Sequence, residues 1–205
     1  MCMSAPHMQY EKRLFSEGHR HIVGVDEVGR GAWAGPIVAA AVILPEGPRI
    51  YGVRDSKKLS KKKREKLAAR IQKRAIACSV ALVTPAEIDR IGINAANELV
   101  MRHAVEQLAV RPDFILLDAF RLVGFEKKQA AIVHGDATVY SIAAASIVAK
   151  VARDNYMMRV HEQHPHFGFD TSVGYGTAKH RAALDQHGII KDVHRCSFQP
   201  MCSMV

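Results

Sequence analysis

Four acidic residues interrupt or end apolar runs, where a carboxylate is costly. Asp26 and Glu27 close the run His21 to Asp26 (HIVGVD), Asp118 closes Phe114 to Leu117 (FILL), and Asp136 follows Ala130 to Val133 (AAIV) in a His134-Gly135-Asp136 turn. A carboxylate at the end of a buried strand loses hydration and several in one place repel, so a cluster is tenable only with a bound cation or with some groups protonated. Oxygen-only ligand sets select hard cations, Mg²⁺ or Mn²⁺. Two such ions, held roughly 3.5 to 4 Å apart by shared carboxylates, activate water and stabilise the leaving oxygen of a phosphodiester. Taken singly, Asp118 and Asp136 read more readily as turn formers or helix N-caps. Convergence of all four is what points to chemistry.

The elements that must position them follow from periodicity. His21 to Asp26 and Ile37 to Leu44 (IVAAAVIL) read as a pair of strands across a glycine-rich connection, Gly29 to Pro36. Cys78 to Val83, Phe114 to Leu117 and Ala130 to Val133 bring the strand count to five. Ser60 to Ala77 carries Leu67, Ile71 and Ala75 on one face and basic residues elsewhere, an amphipathic helix. Thr84-Pro85-Ala86-Glu87 is a capping box with proline at the first helical position. Asn94 to Leu108, Val139 to His161 and Thr177 to Gln186 have helical length and periodicity, the last stopped by Gly188. Cys196 to Val205 shows no pattern. An antiparallel meander continued by two parallel strands with a helical crossover gives an α/β fold with three α/β/α layers and a five-stranded mixed sheet. With the fourth strand beside the first and parallel to it, the acids fall at a topological switch point, where open α/β sheets place ligands.

Length and composition narrow the function classes. A chain of 205 residues is one domain with at most an appendage, and 48% hydrophobic against 24% charged residues excludes wholesale disorder. The expected division is an N-terminal segment (1–20), a core (21–161) and a C-terminal helical extension with a tail (162–205). A net charge of +9 favours a nucleic acid or an anionic membrane surface as partner. No apolar stretch reaches membrane-spanning length, and 1–20 lacks the apolar stretch of a secretion signal, so a cytoplasmic protein without membrane contact is expected. Cys2, Cys78, Cys196 and Cys202 have no paired spacing and read as plain thiols. His161-Glu-Gln-His164 spaces its imidazoles by three residues rather than four and does not read as a zinc site; most of the 11 histidines are expected at the surface.

His21-Ile-Val-Gly-Val-Asp-Glu-Val-Gly-Arg-Gly31 followed by Ala34-Gly-Pro-Ile-Val-Ala-Ala-Ala-Val42 resembles the signature of the type 2 ribonucleases H, the bacterial ribonuclease HII family. The resemblance extends through Asp55-Ser-Lys-Lys-Leu-Ser60, Gly92-Ile-Asn94, Leu117-Asp118-Ala119, Gly135-Asp136, Ser141 to Asp154, Gly174-Tyr-Gly-Thr177 and His194-Arg-Cys-Ser-Phe198, covering about residues 14 to 200. It implies a ribonuclease H-like fold with a C-terminal helical extension. It also implies hydrolysis of the RNA strand of RNA/DNA hybrids and cutting on the 5′ side of single ribonucleotides in duplex DNA, leaving 3′-OH and 5′-phosphate ends. Asp26, Glu27, Asp118 and Asp136 fall where that family keeps its metal-binding acids, for Mg²⁺ or Mn²⁺. A monomer is expected. The chain departs from the family pattern at Ala32-Trp33, where Pro-Leu or a similar pair is common, and at Val173, where a basic residue often precedes Gly-Tyr.

Gly29-Arg30-Gly31 lets the main chain approach a ligand closely, and backbone groups can read a 2′-hydroxyl; spacing alone makes it a tight turn with Arg30 solvated, while the resemblance makes it the grip on the ribonucleotide. Tyr175 could stack on a sugar or fold back on the core, and the resemblance sets it against the deoxyribose that follows the ribonucleotide. From Arg54 to Lys66, eight of thirteen residues are Lys or Arg. Lys57 and Lys58 are expected to contact phosphate and Lys61 to Arg64 to be solvated. Ser146, Lys150, Arg153 and Asp154 share a helix face, either a polar stripe over the site or a structural network. Two rival readings stand beside the ribonuclease: another metal-dependent nuclease of the same fold, which the Gly29-Arg30-Gly31 and Tyr175 pair disfavours, and a hybrid-binding module without turnover, which the intact acids disfavour.

Overall fold

The computed structural model describes residues 5–204. Cys2 lies outside the described residues; Cys78, Cys196 and Cys202 are free thiols. Five strands form one sheet: β1 (Ile22–Val28), β2 (Ile37–Ile43), β3 (Ala77–Val83), β4 (Phe114–Asp118) and β5 (Gln129–Ile132), in the order β3-β2-β1-β4-β5. β1, β2 and β3 pair antiparallel, while β4 runs parallel to β1 and β5 parallel to β4. The meander and the placement of the fourth strand beside the first are as the sequence predicts. The crossover is not uniform: helices α3 (Pro85–Ile91) and α4 (Ile93–Glu106) link β3 to β4, but an irregular loop, 119–128, links β4 to β5.

The helices cover both faces. Helices α2 (Lys61–Arg74) and α6 (Tyr140–Gln163) pack on one, and α3 and α4 on the other. Strand periodicity explains the division: Val23 and Val25 join the α4 side, whereas Ala40 and Val42 of β2 meet Ala143, Ala144, Ile147 and Val148 of α6. Alanines in both elements allow close approach. At Gly24 the approach is closest, since a Cβ there would lie 2.2 Å from the carbonyl carbon of Ser141. The 24-residue α6 thus runs past the end of β1 with its polar residues Ser146 and Lys150 beyond the strand's apolar half.

Toward both ends, the described residues carry more structure than the sequence indicates. The N-terminal segment contains α1 (Gln9–Ser16), whose Leu14 and Phe15 pack with Ile22, Leu116 and Ile142. Its Glu11 is buried and accepts the Ser141 N–H at 2.8 Å, at the start of α6. The short helix α5 (Gly135–Thr138) follows β5, and α7 (Phe169–Ser172) and α8 (Ala178–His187) follow α6. Patternless as it is, the tail folds back: Met201 is fully buried with Phe167, Phe169 and Leu184 in a satellite core that also takes in Met157 and Val160 of α6.

Candidate active site

Strand pairing brings the acids together. Val25 is in register with Leu117 across the parallel β1–β4 pair, so the next residues, Asp26 and Asp118, leave adjacent strands at the same level. β1 continues to Val28, so Asp26 and Glu27 lie within the strand and not at its end. Alternation sends Asp26 toward α6, where the neighbouring Ser146 hydroxyl favours its charged form, and starts Glu27 on the opposite face. Asp118 Oδ1 accepts the Gly135 N–H at 2.7 Å, which ties the first turn of α5, and hence Asp136, to the end of β4. A Cβ at Gly135 would lie 2.6 Å from Ile142 Cδ1, so this junction has no room for a larger residue without repacking.

The resulting pocket, about 380 Å³, is lined by Asp26, Glu27, Asp118 and Asp136 together with Lys57, Ser146, Lys150 and Tyr175. A somewhat larger cavity, between residues 5–6, the 49–55 loop and Tyr140, contains Lys58 but no carboxylate cluster. Lys57 and Lys58 therefore part company: Lys57 enters the acidic pocket and Lys58 turns away from it. Lys57 Nζ stands 3.1 Å from Asp136 Oδ2. Arg64, expected to be solvated, is half-buried; it donates to the carbonyl oxygens of Ser56 and Leu59 and pairs with Asp154 at 3.3 Å.

The crowded carboxylates of the pocket perturb one another. Burial, then the charges of Glu27 and Asp118, push the Asp26 carboxyl well above the carboxylate range. Burial and the Asp118 charge push Glu27 up to about 7. Burial and the Asp136 charge raise Asp118 as well, against the opposing pull of the Gly135 N–H. Burial alone would lower Lys57, but its hydrogen bond and charge pairing with Asp136 carry it upward. Glu27 Oε2 is buried without a hydrogen-bond partner. No group of three or more His, Cys, Asp or Glu among the described residues is closed into a metal cage. The donor set nonetheless fits hard cations: carboxylate oxygens only, mutually repelling, and one of them orphaned.

The polar stripe on α6 divides into two roles. Ser146 and Lys150 face the pocket, with Ser146 Oγ 2.9 Å from Ser56 Oγ and Lys150 Nζ 2.7 Å from Asp154 Oδ1. Arg153 turns under the Gly29-Arg30-Gly31 loop and is fully buried, donating to the carbonyl oxygens of Pro36, Ala34 and Val173. Arg195, also fully buried, donates to Gly35 and Arg30 carbonyls. Sequence reasoning left Arg153 between a polar stripe and a structural network, of which its carbonyl bonds favour the second, and did not single out Arg195 beyond its place in a quoted motif. Gly29 owes its identity to Arg153, because its φ is +92° and a Cβ would lie 2.1 Å from Arg153 Nε. Gly31, in contrast, faces open space. Arg30 is not simply solvated: it donates to Asn94 Oδ1 at 2.7 Å and lies over the Phe120 ring.

Tyr175 stands at the pocket rim, 37% exposed, with the Arg153 guanidinium 5.5 Å from its ring centre. Its loop is fixed to the connection between the first two strands, since the Gly174 carbonyl accepts the N–H groups of Trp33 and Ala34. Val173, in the left-handed region at φ +43°, directs its carbonyl to Arg153. Trp33, the departure from the family pattern, lies flat enough on Gly176 that a Cβ there would meet its ring at 2.2 Å. His180 and His194 behind this loop are fully buried, whereas the other nine histidines are exposed or partly exposed.

Comparison with known proteins agrees with this arrangement. The family model described as ribonuclease HII matches residues 23–201. The chain is 49% identical over 197 residues to ribonuclease HII of Geobacillus sp. strain WCH70, covering 96% of this chain and 70% of that protein. To ribonuclease HII of Caldicellulosiruptor bescii it is 46% identical over 192 residues, covering 94% and 93%. Among solved structures, ribonuclease H2 of Pyrococcus horikoshii OT3 superposes with a TM-score of 0.77 at 28% identity, covering 89% of this chain and 96% of that one. A ribonuclease HIII solved in complex with Mn²⁺ shares the fold, with a TM-score of 0.70 at 21% identity over 100% of this chain and 75% of that one. By sequence, by fold and by the convergence of its acids, the chain belongs to the ribonuclease HII family and is a ribonuclease H-type endonuclease.

Proposed function

We propose that the protein hydrolyses the RNA strand of RNA/DNA hybrids and cuts duplex DNA on the 5′ side of single embedded ribonucleotides, leaving 3′-OH and 5′-phosphate ends. The observation that carries the reading is the single pocket shared by Asp26, Glu27, Asp118, Asp136 and Tyr175. In this reading Asp26, Glu27, Asp118 and Asp136 hold two Mg²⁺ or Mn²⁺ ions. When bound, such ions acidify water and stabilise the leaving 3′ oxygen of the phosphodiester.

The chain's own groups bind and orient. Lys57, which pairs with Asp136 here, would meet the phosphate were that carboxylate holding a cation, and Lys150 adds positive charge at the same rim. Main-chain groups of Gly29, Arg30 and Gly31 read the 2′-hydroxyl, supported from beneath by Arg153 and Arg195. The Tyr175 ring lies against the next sugar, where a 2′-hydroxyl would crowd it, and so favours an RNA-to-DNA junction. Residues 162–205 thus act as an extension gripping the substrate of the 21–161 core. In this reading the protein acts as a monomer, in the cytoplasm, where a genomic substrate would be met.

The test is a labelled duplex carrying one ribonucleotide, incubated with Mg²⁺ or Mn²⁺ beside an all-DNA duplex and a long RNA/DNA hybrid. A single cut 5′ to the ribonucleotide, absent from the all-DNA control and lost in Asp118→Asn with binding retained, is the expected result. Equal cutting of all-DNA, or unchanged turnover in Asp118→Asn, would overturn it.

A further inference from the structure

We propose that His180 and His194 are positioning residues: a one-way hydrogen-bond relay through their rings holds the Tyr175 main chain, and through it the enzyme's preference for a ribonucleotide followed by DNA. The inference rests on the reading of Tyr175 as the junction-sensing residue.

The relay is read from its two ends inward. The Ile190 N–H points to His194 Nδ1 at 2.8 Å, so that nitrogen is an acceptor and carries no proton. At the other end His180 Nδ1 lies 3.0 Å from the Tyr175 carbonyl oxygen, which can only accept, so this nitrogen carries a proton. Between them His194 Nε2 and His180 Nε2 are 3.1 Å apart. A neutral His194 unprotonated at Nδ1 is protonated at Nε2, and a neutral His180 protonated at Nδ1 is unprotonated at Nε2. The central contact is therefore His194 Nε2–H donating to His180 Nε2, and each of the three bonds has one permitted direction. Protonation of either ring would set two N–H groups against each other.

Burial keeps both rings neutral. His180 and His194 are 0% and 1% exposed, packed against Phe167 and Phe169. Burial lowers His180, and burial with the neighbouring His180 and His164 rings takes His194 down to about 4. The relay also has a defined target. The Tyr175 carbonyl takes a second hydrogen bond from the Thr177 N–H at 2.8 Å, and Thr177 Oγ1 accepts the His180 N–H at the start of α8. Tyr175 is thereby held at its main chain while its ring remains free at the pocket rim. Neither histidine lines the acidic pocket, so neither can act on the reacting phosphate directly.

The experiment compares kcat/KM for a duplex with one ribonucleotide with kcat/KM for a long RNA/DNA hybrid, whose cleavage does not require a following deoxyribose. Tyr175→Ala should lower this ratio at least tenfold. His180→Phe, which keeps the volume and removes the donor, should lower it at least fivefold while the long hybrid is cut within about threefold of wild type. His180→Asn, which returns a donor near the Nδ1 position, should recover most of the ratio, and His180→Phe added to Tyr175→Ala should lower it no further. A role confined to folding would depress both substrates together, and that result overturns the proposal. An effect of Tyr175→Ala without one of His180→Phe removes the relay alone, whereas no effect of Tyr175→Ala removes the reading of Tyr175 with it. Should His180→Phe not fold, nitrogen-15 spectra of the wild-type imidazoles decide: His180 protonated at Nδ1 and His194 at Nε2 are expected, and the opposite tautomer at either ring overturns the relay.

Discussion

The Lys57 ammonium stands 3.1 Å from Asp136 Oδ2, inside a pocket that three further carboxylates share. Its side chain is 78% exposed, and its charge satisfies a carboxylate that a divalent cation would otherwise take. A partly solvated ion pair of this kind is worth roughly 0.2 to 1 kcal/mol. Removing the competitor in Lys57→Met should therefore tighten Mn²⁺ binding by about 1.4- to fivefold in substrate-free calorimetry. Unchanged or weaker binding would show that the ammonium does not compete for the site.

A second prediction concerns pH in the metal-free protein. Glu27 is raised from 4.5 to about 7 by burial and by Asp118. A carboxyl whose folded value lies above its unfolded one stabilises fully below the unfolded value, and that stabilisation is lost as pH rises through the folded value. Its loss between about pH 4.5 and 7 amounts to at most about 3 kcal/mol, at about 1.4 kcal/mol per pH unit. Urea unfolding with chelator present should show this slope, and Glu27→Gln should flatten it. A slope identical in the variant would detach it from Glu27.

The buried histidines act in the opposite sense. His194 is lowered from 6.5 to about 4, so the unfolded chain takes up its proton first as pH falls. Stability present above about pH 6.5 is lost down to about pH 4, again by up to about 3 kcal/mol. The two effects overlap, which makes the single-site comparison necessary. His194→Asn should reduce the acid-side loss while leaving the Glu27 slope in place; an unaltered acid limb would rule His194 out as its source.

Most of the fold was legible because strand and helix periods are strong where a segment is buried. Ile37 to Leu44 and Phe114 to Leu117 lie in the sheet interior, and their apolar runs marked the strands nearly to the residue. α1 was not legible, because its eight residues bury only Glu11, Leu14 and Phe15 and lack a side-chain cap. The acids were found because each breaks an apolar run. Arg195, His180 and His194 were not, and Arg153 stayed undecided between stripe and network, because they are polar residues buried by long-range packing, and nothing local in sequence tells a buried arginine satisfied by carbonyls from a solvated one. The same limit applied to Arg64, whose partners Asp154 and Leu59 come from two different elements.

Trp33 gives the last prediction. It is the only tryptophan in the chain and lies between Gly176, on which its ring rests, and the Arg181 guanidinium 5.0 Å from its ring centre. Gly176 has no positive φ to explain it, so its constraint is steric: a Cβ would lie 2.2 Å from the ring, closer than any real contact. Gly176→Ala must then push Trp33 or the Tyr175 loop aside, at a cost of about 1 to 3 kcal/mol. In a Trp33→Leu background the same substitution should cost less than about half as much, because a smaller side chain can yield. Unfolding followed by circular dichroism measures all four corners of this cycle, and purely additive costs would mean that Gly176 is required for a reason other than Trp33. Since the ring is also one residue from Ala34, which binds the Gly174 carbonyl, its fluorescence should change when a ribonucleotide-containing duplex settles against Tyr175.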